Sequence, residues 1–155
     1  MEIKQADVAD AAIIHHVMLE AFQVYKNETP PSSALEETLQ SVSNALERGE
    51  KALIAMEENN PVGMVRFQLK NEELYFYRLS VIPEKQGRGI ARKILKALEE
   101  YADKMNVTTV LCNVRAALPK NVQLYRSIGY EVYDEEILYR PNGITVKVVS
   151  MRKEL

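Results

Sequence analysis

The chain has 155 residues, of which 46% are hydrophobic and 27% charged, a composition typical of a soluble globular protein. Its formal net charge of -2 argues against a broad electrostatic footprint for nucleic acid. A single cysteine, Cys112, excludes an internal disulfide, and no apolar run is long enough to cross a bilayer. The first residues do not have the pattern of a secretory signal. We therefore expect one cytoplasmic domain over residues 1–155, with no nucleic-acid or membrane partner.

Apolar periodicity and capping residues predict the first elements of the chain. A short strand at 2–6 precedes a helix at 8–25, which Asp7 caps. The sequence Ser-Ala-Leu-Glu at 33–36 has the spacing of a capping box, so we expect a second helix from Ser33 to Gly49. The residues expected on the buried faces of these helices are Ile13, Ile14, Val17, Met18, Ala21, Phe22, Leu35, Leu39, Val42 and Leu46.

The rest of the chain alternates between strand and helix patterns. Strands are predicted at 52–56, 61–69, 74–82 and 109–115, helices at 89–104 and 120–128, and a terminal hairpin at 130–139 and 144–152 around Pro141-Asn142-Gly143. The core side of the long helix comprises Ile90, Ile94, Leu95, Leu98, Tyr101 and Met105. The element order βααβββαβαββ predicts an α/β (α+β) fold, with a mixed, mostly antiparallel sheet flanked by helices.

The segment from Val81 to Ala91 carries the strongest functional signal. A strand is followed by Gly87 and Gly89 and then at once by an amphipathic helix. The unpaired N–H groups of a helix start and the positive end of its dipole favour an anion such as phosphate. A dinucleotide fingerprint would require a third small residue where Arg92 stands, and the phosphate-loop sequence of NTPases does not occur. An ordinary glycine turn before a helix is the alternative interpretation.

A second motif, Leu-Tyr-x-x-x-Gly-Tyr, occupies residues 124–130, about thirty residues further on. Together with Gln-x-x-Gly-x-Ala at 86–91 and the element order, it resembles the GNAT acetyltransferase superfamily over essentially the whole chain. The resemblance implies that the glycine turn holds the pyrophosphate of acetyl-CoA, with Lys85, Arg88 and Arg92 adding positive charge. The implied cofactor-binding residues are Leu79, Val81, Gln86, Gly87, Arg88, Gly89, Ile90, Ala91, Asn121 and Tyr125. One departure is Leu118, which stands where the family often carries a cofactor-contacting Asn.

The same resemblance implies an N-acetyltransferase that uses acetyl-CoA as co-substrate and no metal. The acceptor would be a primary amine of a small molecule or peptide, attacking directly in a ternary complex. Tyr125 is the candidate general acid, because a phenol with a pKa near 10 stays protonated at neutral pH. The backbone N–H of Leu79 would stabilise the thioester oxygen. Glu28 and Glu135 are alternative general bases, and a non-catalytic acyl-CoA-binding module is the alternative function.

Three arginines interrupt apolar strands: Arg66, Arg78 and Arg115. Since arginine is rarely buried without a partner, these side chains form internal salt bridges, reach solvent along the sheet, or make a cluster that binds an anionic acceptor. Arg78 lies beside the predicted thioester site and is the best candidate for substrate binding. The resemblance also implies that the first helix and its loop line the acceptor site, which adds Tyr25 and Glu28. Tyr133 and Tyr139 in the last hairpin are further candidates, and a homodimer through this hairpin is left open.

Overall fold

The alternating strands assemble into one mixed sheet in a computed structural model that describes residues 1–28, 31–141 and 143–155. Within these residues, seven strands are ordered β1-β2-β3-β4-β5-β7-β6. The elements are β1 (Glu2–Gln5), α1 (Ala11–Phe22), α2 (Leu39–Glu47), β2 (Lys51–Glu57), β3 (Asn60–Lys70), β4 (Glu73–Val81), α3 (Ile90–Lys104), β5 (Thr109–Arg115), α4 (Pro119–Ser127), β6 (Glu131–Tyr139) and β7 (Thr145–Glu154). Only the β4–β5 pair is parallel among the described strands. The predicted fold class is therefore confirmed.

Side-chain alternation along the central strands builds a core on each face of the sheet. In β2, Leu53 and Ala55 pack with α3, whereas Ala52 and Ile54 pack with α1 and α2. A strand buried on both faces reads as a continuous apolar run, as residues 52–56 do. No helix in the described part of the chain is long and apolar enough to span a membrane. The two faces are thus covered by different helices, and the strand edges between them carry the site described below.

The first predicted helix is confirmed but subdivided. A 3₁₀ turn at Val8–Asp10 leads into α1, and a second 3₁₀ turn at Gln23–Tyr25 follows it. The Asp7 carboxylate accepts a hydrogen bond from the N–H of Ala9 at 2.9 Å, which confirms Asp7 as the cap. This end of the chain therefore extends the helical segment to Tyr25, beside the cavity.

The predicted start of the second helix is wrong. Residues Ser33–Glu36 form a separate 3₁₀ turn, Glu37 is extended with φ -71° and ψ 143°, and α2 begins only at Leu39. Thr38 is the cap of α2, since its hydroxyl accepts from the Ser41 N–H at 3.0 Å.

The capping serine and two buried positions also differ from the prediction. Ser32, rather than Ser33, caps the 3₁₀ turn through the Ala34 N–H. Leu39 is 47% exposed because it lies in the first turn of α2, and Met105 is 50% exposed because it follows the end of α3. The predicted turn residue Asn142 lies outside the described residues.

Gly63 in β3 allows an unusually close approach of α3 to the sheet. A Cβ atom at this position would lie 2.8 Å from Ile94 Cδ1 and 2.9 Å from the Ser80 carbonyl oxygen. Both distances are shorter than van der Waals contact, so a side chain here would push against α3 and against the backbone of β4. Glycine therefore sets the spacing between three elements around the end of β4.

Candidate active site

Strands β4 and β5 separate soon after they meet, and the gap opens a cavity in the edge of the sheet. Within the described residues their parallel pairing covers three residues on each strand, from Glu73 to Tyr75 and from Thr109 to Leu111. Beyond this point both strands continue without pairing to each other, and a cavity of about 1000 Å³ lies between them. The cavity is of the size that proteins use for cofactors and small-molecule ligands.

A β-bulge in β4 redirects the backbone at the cavity wall. Met64 pairs with Ser80 and Arg66 with Tyr77, so one β3 residue between them faces both Arg78 and Leu79. Arg78 has φ +57°, a conformation that costs a non-glycine residue about 1 kcal/mol. The Ser80 hydroxyl donates to the Arg78 carbonyl at 2.9 Å and so helps to hold the bulge. Because a bulge breaks the regular ladder, the Leu79 backbone at the cavity is freed from strict pairing.

The glycine turn forms one end of the same cavity. Gly87 and Gly89 have φ values of +79° and +78°, which a residue with a side chain adopts only under strain. The Gln86 amide donates to the Val81 carbonyl at 3.0 Å and ties the turn to the end of β4. Helix α3 begins at Ile90, directly after the turn, with its first N–H groups unpaired within the helix.

The charged residues of this turn differ in how they are used. Lys85 binds the Glu57 carboxylate at 2.8 Å and lowers the pKa of that group. Arg92 lines the cavity together with Lys120, whereas Arg88 is exposed and is not among the described lining residues. Arg92 and Lys120 are therefore placed to face a ligand in the cavity, whereas Lys85 is paired with Glu57.

Tyr125 forms another part of the cavity wall. Its ring packs edge-to-face against Phe76, with centroids 5.6 Å apart, and lies 6.1 Å from the ring of Tyr130. The residue is 8% exposed, and burial raises the pKa of its phenol, so the hydroxyl keeps its proton at any ordinary pH. Asn121 and Leu118 line the cavity on the same helix side.

The opposite end of the cavity is formed by α1 and the connection that follows it. Phe22, Tyr25 and Glu28 line this end, and the rings of Phe22 and Tyr25 are 5.5 Å apart. Glu135, the other candidate base, lies on β6 and pairs with Lys147 at 3.4 Å. It is exposed and is not among the described residues that line the cavity.

The structure brings Arg66 and Arg78 into a network with two carboxylates that the sequence analysis did not single out. Arg66 is 3% exposed and binds Glu50 through Nε at 2.7 Å and Nη2 at 3.1 Å. Arg66 Nη1 and Arg78 Nε both bind Glu37, at 2.8 Å and 2.9 Å. Burial acts to lower the pKa of Arg66, but the hydrogen bonds with Glu50 and Glu37 outweigh it and raise the pKa.

Two further polar residues extend this network. The Tyr77 hydroxyl donates to Glu50, and burial with this contact raises the pKa of the phenol. Gln68 donates to the same hydroxyl at 3.2 Å. An arginine inside an apolar strand signals that a carboxylate partner must exist, but the sequence does not say which of its 22 acidic residues that is.

A family model described as an acetyltransferase (GNAT) domain matches residues 10–155. The chain belongs to the GNAT acetyltransferase family. Among curated proteins, none matches the chain by sequence.

Solved structures of GNAT enzymes share this fold. The ribosomal-protein-S18-alanine N-acetyltransferase of Escherichia coli matches with a TM-score of 0.80 at 17% identity, over 99% of this chain and 92% of the other. The PaiA N-acetyltransferase of Thermoplasma acidophilum, solved in complex with coenzyme A, has a TM-score of 0.80 at 17% identity and full coverage of both chains. A mutant spermidine N-acetyltransferase SpeG of Vibrio cholerae has a TM-score of 0.76 at 18% identity, over 99% and 95%. At these identities the likeness shows the GNAT fold and not the acceptor.

Proposed function

We propose that this protein is an N-acetyltransferase that transfers the acetyl group of acetyl-CoA to a primary amine of a small molecule or peptide in a ternary complex. One observation carries the proposal: a single cavity joins the glycine turn, the bulge at Leu79 and the buried phenol of Tyr125. An anion-binding turn, a backbone donor and a proton donor are the groups that acyl transfer from a thioester of CoA requires.

The residues of the cavity fit coenzyme A. Gly87 and Gly89 leave the turn without side chains, and a Cβ on either would meet nothing within 4 Å, so the space beside the turn is open. The turn at 86–91 and the start of α3 would bind the pyrophosphate, with Arg92 adding charge. The β4 edge from Phe76 to Val81, including Leu79, would pair with the amide groups of the pantetheine arm. Asn121 lines the cavity and would contact the same arm.

The chain would contribute two groups to the cleavage of the thioester. Acetyl-CoA, when bound, supplies an activated thioester. The N–H of Leu79, redirected by the bulge, would donate to the oxygen on which negative charge develops, an interaction worth about 3 kcal/mol in comparable sites. Tyr125 would hold a proton beside the departing sulfur, and its raised pKa keeps that proton in place until it is needed.

The acceptor would enter between α1 and β4. Tyr25 and Glu28 line this end and would contact the amine, while Arg78 shapes it from the bulge. Of the two carboxylates that the sequence offers as bases, Glu28 is the one that reaches the cavity. We assign it the role of taking the proton from the amine, directly or through water.

The proposal is tested by calorimetric titration with acetyl-CoA, 3′-dephospho-CoA and NAD, followed by an acetyl-transfer assay on a panel of amines. We expect micromolar binding of acetyl-CoA, weaker binding of the dephospho form if Arg92 or Lys85 holds the 3′-phosphate, and no binding of NAD. Acetyl-CoA binding without transfer to any amine would indicate the non-catalytic acyl-CoA-binding alternative.

A variant at the turn tests the assigned binding site. Gly89→Asp places a carboxylate and a strained backbone where the pyrophosphate would bind, so acetyl-CoA affinity should fall at least about tenfold. Gly143→Asp is the matched control, because Gly143 also has positive φ, at +82°, but lies in the terminal hairpin and is not among the described residues that line the cavity. Equal affinities of the two variants would remove the glycine turn from the binding site.

A further inference from the structure

The acceptor end of the cavity carries three arginines, and two of them are bound by carboxylates. Arg66 is bound by Glu50, and Arg78 by Glu37. Arg115 donates to the Pro31 carbonyl at 3.1 Å. Burial and the charges of Arg140 and Arg78 lower the pKa of Arg115, while Glu28 acts in the opposite direction. The positive charges of Arg66 and Arg78 are thus paired with carboxylates of the chain itself.

Glu37 occupies the fork between two of these arginines. Both of its carboxylate oxygens accept from Arg66 Nη1 at 2.8 Å, and Oε2 also accepts from Arg78 Nε at 2.9 Å. Arg78 Nη2 is bound by the Ser33 hydroxyl at 3.0 Å. Charge-assisted contacts of this geometry are among the strongest that a carboxylate makes with guanidinium groups.

The backbone around Glu37 is arranged to hold this carboxylate in place. The residue is extended between the 3₁₀ turn and α2, and its carbonyl oxygen lies 3.0 Å from His15 Nε2 on α1. Glu37 lines the cavity, and its side chain is 18% exposed. A carboxylate supplied by this chain therefore stands where an acidic acceptor would have to place its own.

We infer that Glu37 is a specificity-determining residue, which neutralises Arg78 and so directs the site to neutral or cationic amines rather than to amines that carry a carboxylate. The inference rests on the proposed N-acetyltransferase function and names its acceptor class. An acidic acceptor would have to compete with Glu37 for Arg78, and it would meet the negative charges of Glu37 and Glu28. An alkylamine or the N-terminal residue of a peptide would meet neither cost.

Arg78 is close enough to the reacting groups for this charge to matter. It directly precedes Leu79, so the two Cα atoms are about 3.8 Å apart. Its side chain is 24% exposed, and charges in partly buried sites are screened less than those in water. Removing the charge of Glu37 while keeping Arg78 should therefore change the selectivity between matched acceptors by about tenfold or more.

The test compares leucinamide with leucine, which differ in the carboxylate next to the same amine. The measured quantity is the ratio of kcat/KM for the amide to kcat/KM for the acid, in the wild type and in variants. Taking this ratio across variants cancels the intrinsic reactivity of each amine. The wild type should favour leucinamide, and Glu37→Gln should lower the ratio at least about tenfold because it exposes the charge of Arg78.

Two further variants make the test independent of any one substitution. Arg78→Gln leaves Glu37 with one guanidinium partner, so the ratio should rise, and the double variant should return towards the wild type. Glu36→Gln is the matched control: Glu36 is the exposed neighbour of Glu37 and should leave the ratio unchanged. If Glu37→Gln does not fold, Arg78→Gln decides alone, since its ratio must increase.

The outcomes separate this inference from the proposed function. Transfer to both amines with equal ratios in all variants, or a wild-type preference for leucine, overturns the role of Glu37 alone. Binding of acetyl-CoA with no transfer to these or other amines overturns the proposed function, and this inference falls with it. A ratio that moves down in Glu37→Gln and up in Arg78→Gln supports both.

Discussion

Tyr125 packs against Phe76, and the proposed function gives its hydroxyl a chemical role that is separable from this packing. The ring fills the space beside Phe76, while the hydroxyl is dispensable for that contact. We expect Tyr125→Phe to lower kcat by about a hundredfold, because the leaving sulfur loses its proton donor. Thermal stability and the Kd of acetyl-CoA should change little, since the ring remains. The measurements are steady-state kinetics, calorimetry and thermal unfolding.

Tyr101→Phe is the control for this prediction. Tyr101 also packs edge-to-face, against Phe67 at 5.2 Å, but it lies on α3 outside the described cavity lining. Its kcat should equal that of the wild type. A Tyr125→Phe enzyme with full kcat would exclude the phenol as general acid.

Local sequence was sufficient to single out two short motifs that lie together in the structure. The glycine turn and the Leu-Tyr-x-x-x-Gly-Tyr segment each lie within a few positions, and the structure brings both to one cavity. Sequence alone does not identify Glu37 and Glu50 as partners of Arg66, because they lie 29 and 16 positions away from it. Periodicity does not encode such pairings, which the packing of α1 and α2 on the sheet decides.

The bulge in β4 was also beyond sequence reasoning. Arg78 adopts φ +57° in the middle of a strand. The sequence has no glycine or asparagine at this position to indicate such a conformation. Contacts of its side chain with Glu37 and Ser33 hold it there after folding. The most consequential backbone feature of the site is thus fixed by tertiary contacts.

Among the elements, the packing of α3 on β3 is the one most sensitive to a single methyl group. We expect Gly63→Ala to lower the free energy of unfolding by about 2–3 kcal/mol, because its Cβ would meet Ile94 and the Ser80 carbonyl at less than 3 Å. The kcat should fall as well, since Ser80 adjoins Leu79. Urea unfolding and steady-state kinetics measure the two effects.

Gly49→Ala provides the comparison at the end of α2. Gly49 has φ +106° and nothing within 4 Å of its Cβ position, so the cost is conformational, about 1 kcal/mol. Transfer activity should be unaffected in this variant. Equal destabilisation of the two variants, with normal kcat in both, would contradict the steric explanation.

Element boundaries are predicted well where a single sequence signal marks them. The strand predicted at 109–115 coincides with β5, and the helix predicted at 89–104 differs from α3 by one residue. The predicted start of the second helix is wrong because two capping signals stand close together, at Ser33 and at Thr38. The extended backbone of Glu37, held by contacts from α1, β3 and β4, makes the later signal the effective one.

For the molecule as a whole, buried groups with raised pKa values predict a loss of stability in alkali. Burial raises the pKa of the Cys112 thiol to about 12 and raises those of Tyr125 and Tyr130 as well. In the unfolded chain these groups lose their protons above about pH 8.5 for cysteine and 10 for tyrosine. The unfolded state then binds fewer protons than the folded state, so the free energy of unfolding decreases as pH rises.

We expect full stability below about pH 8 and a decline of about 1.4 kcal/mol per pH unit for each such group above its unfolded pKa. Urea unfolding at pH 7.5, 9.5 and 10.5 measures this change. Cys112→Ala should flatten the first part of the decline, whereas Tyr139→Phe should not alter it, because Tyr139 is 79% exposed. Stability that stays constant to pH 10.5 would contradict the assigned burial.

In the proposed function, the early separation of β4 and β5 would divide ligand recognition between main chain and side chains. In the proposed complex, backbone groups from Phe76 to Val81 would bind the pantetheine arm, and such groups depend little on the side chain. Binding of acetyl-CoA would therefore depend little on which residue types occupy this part of β4. The side chains of Tyr77 and Arg78 would then be available to the amine, so that one short stretch of chain would bind two different ligands.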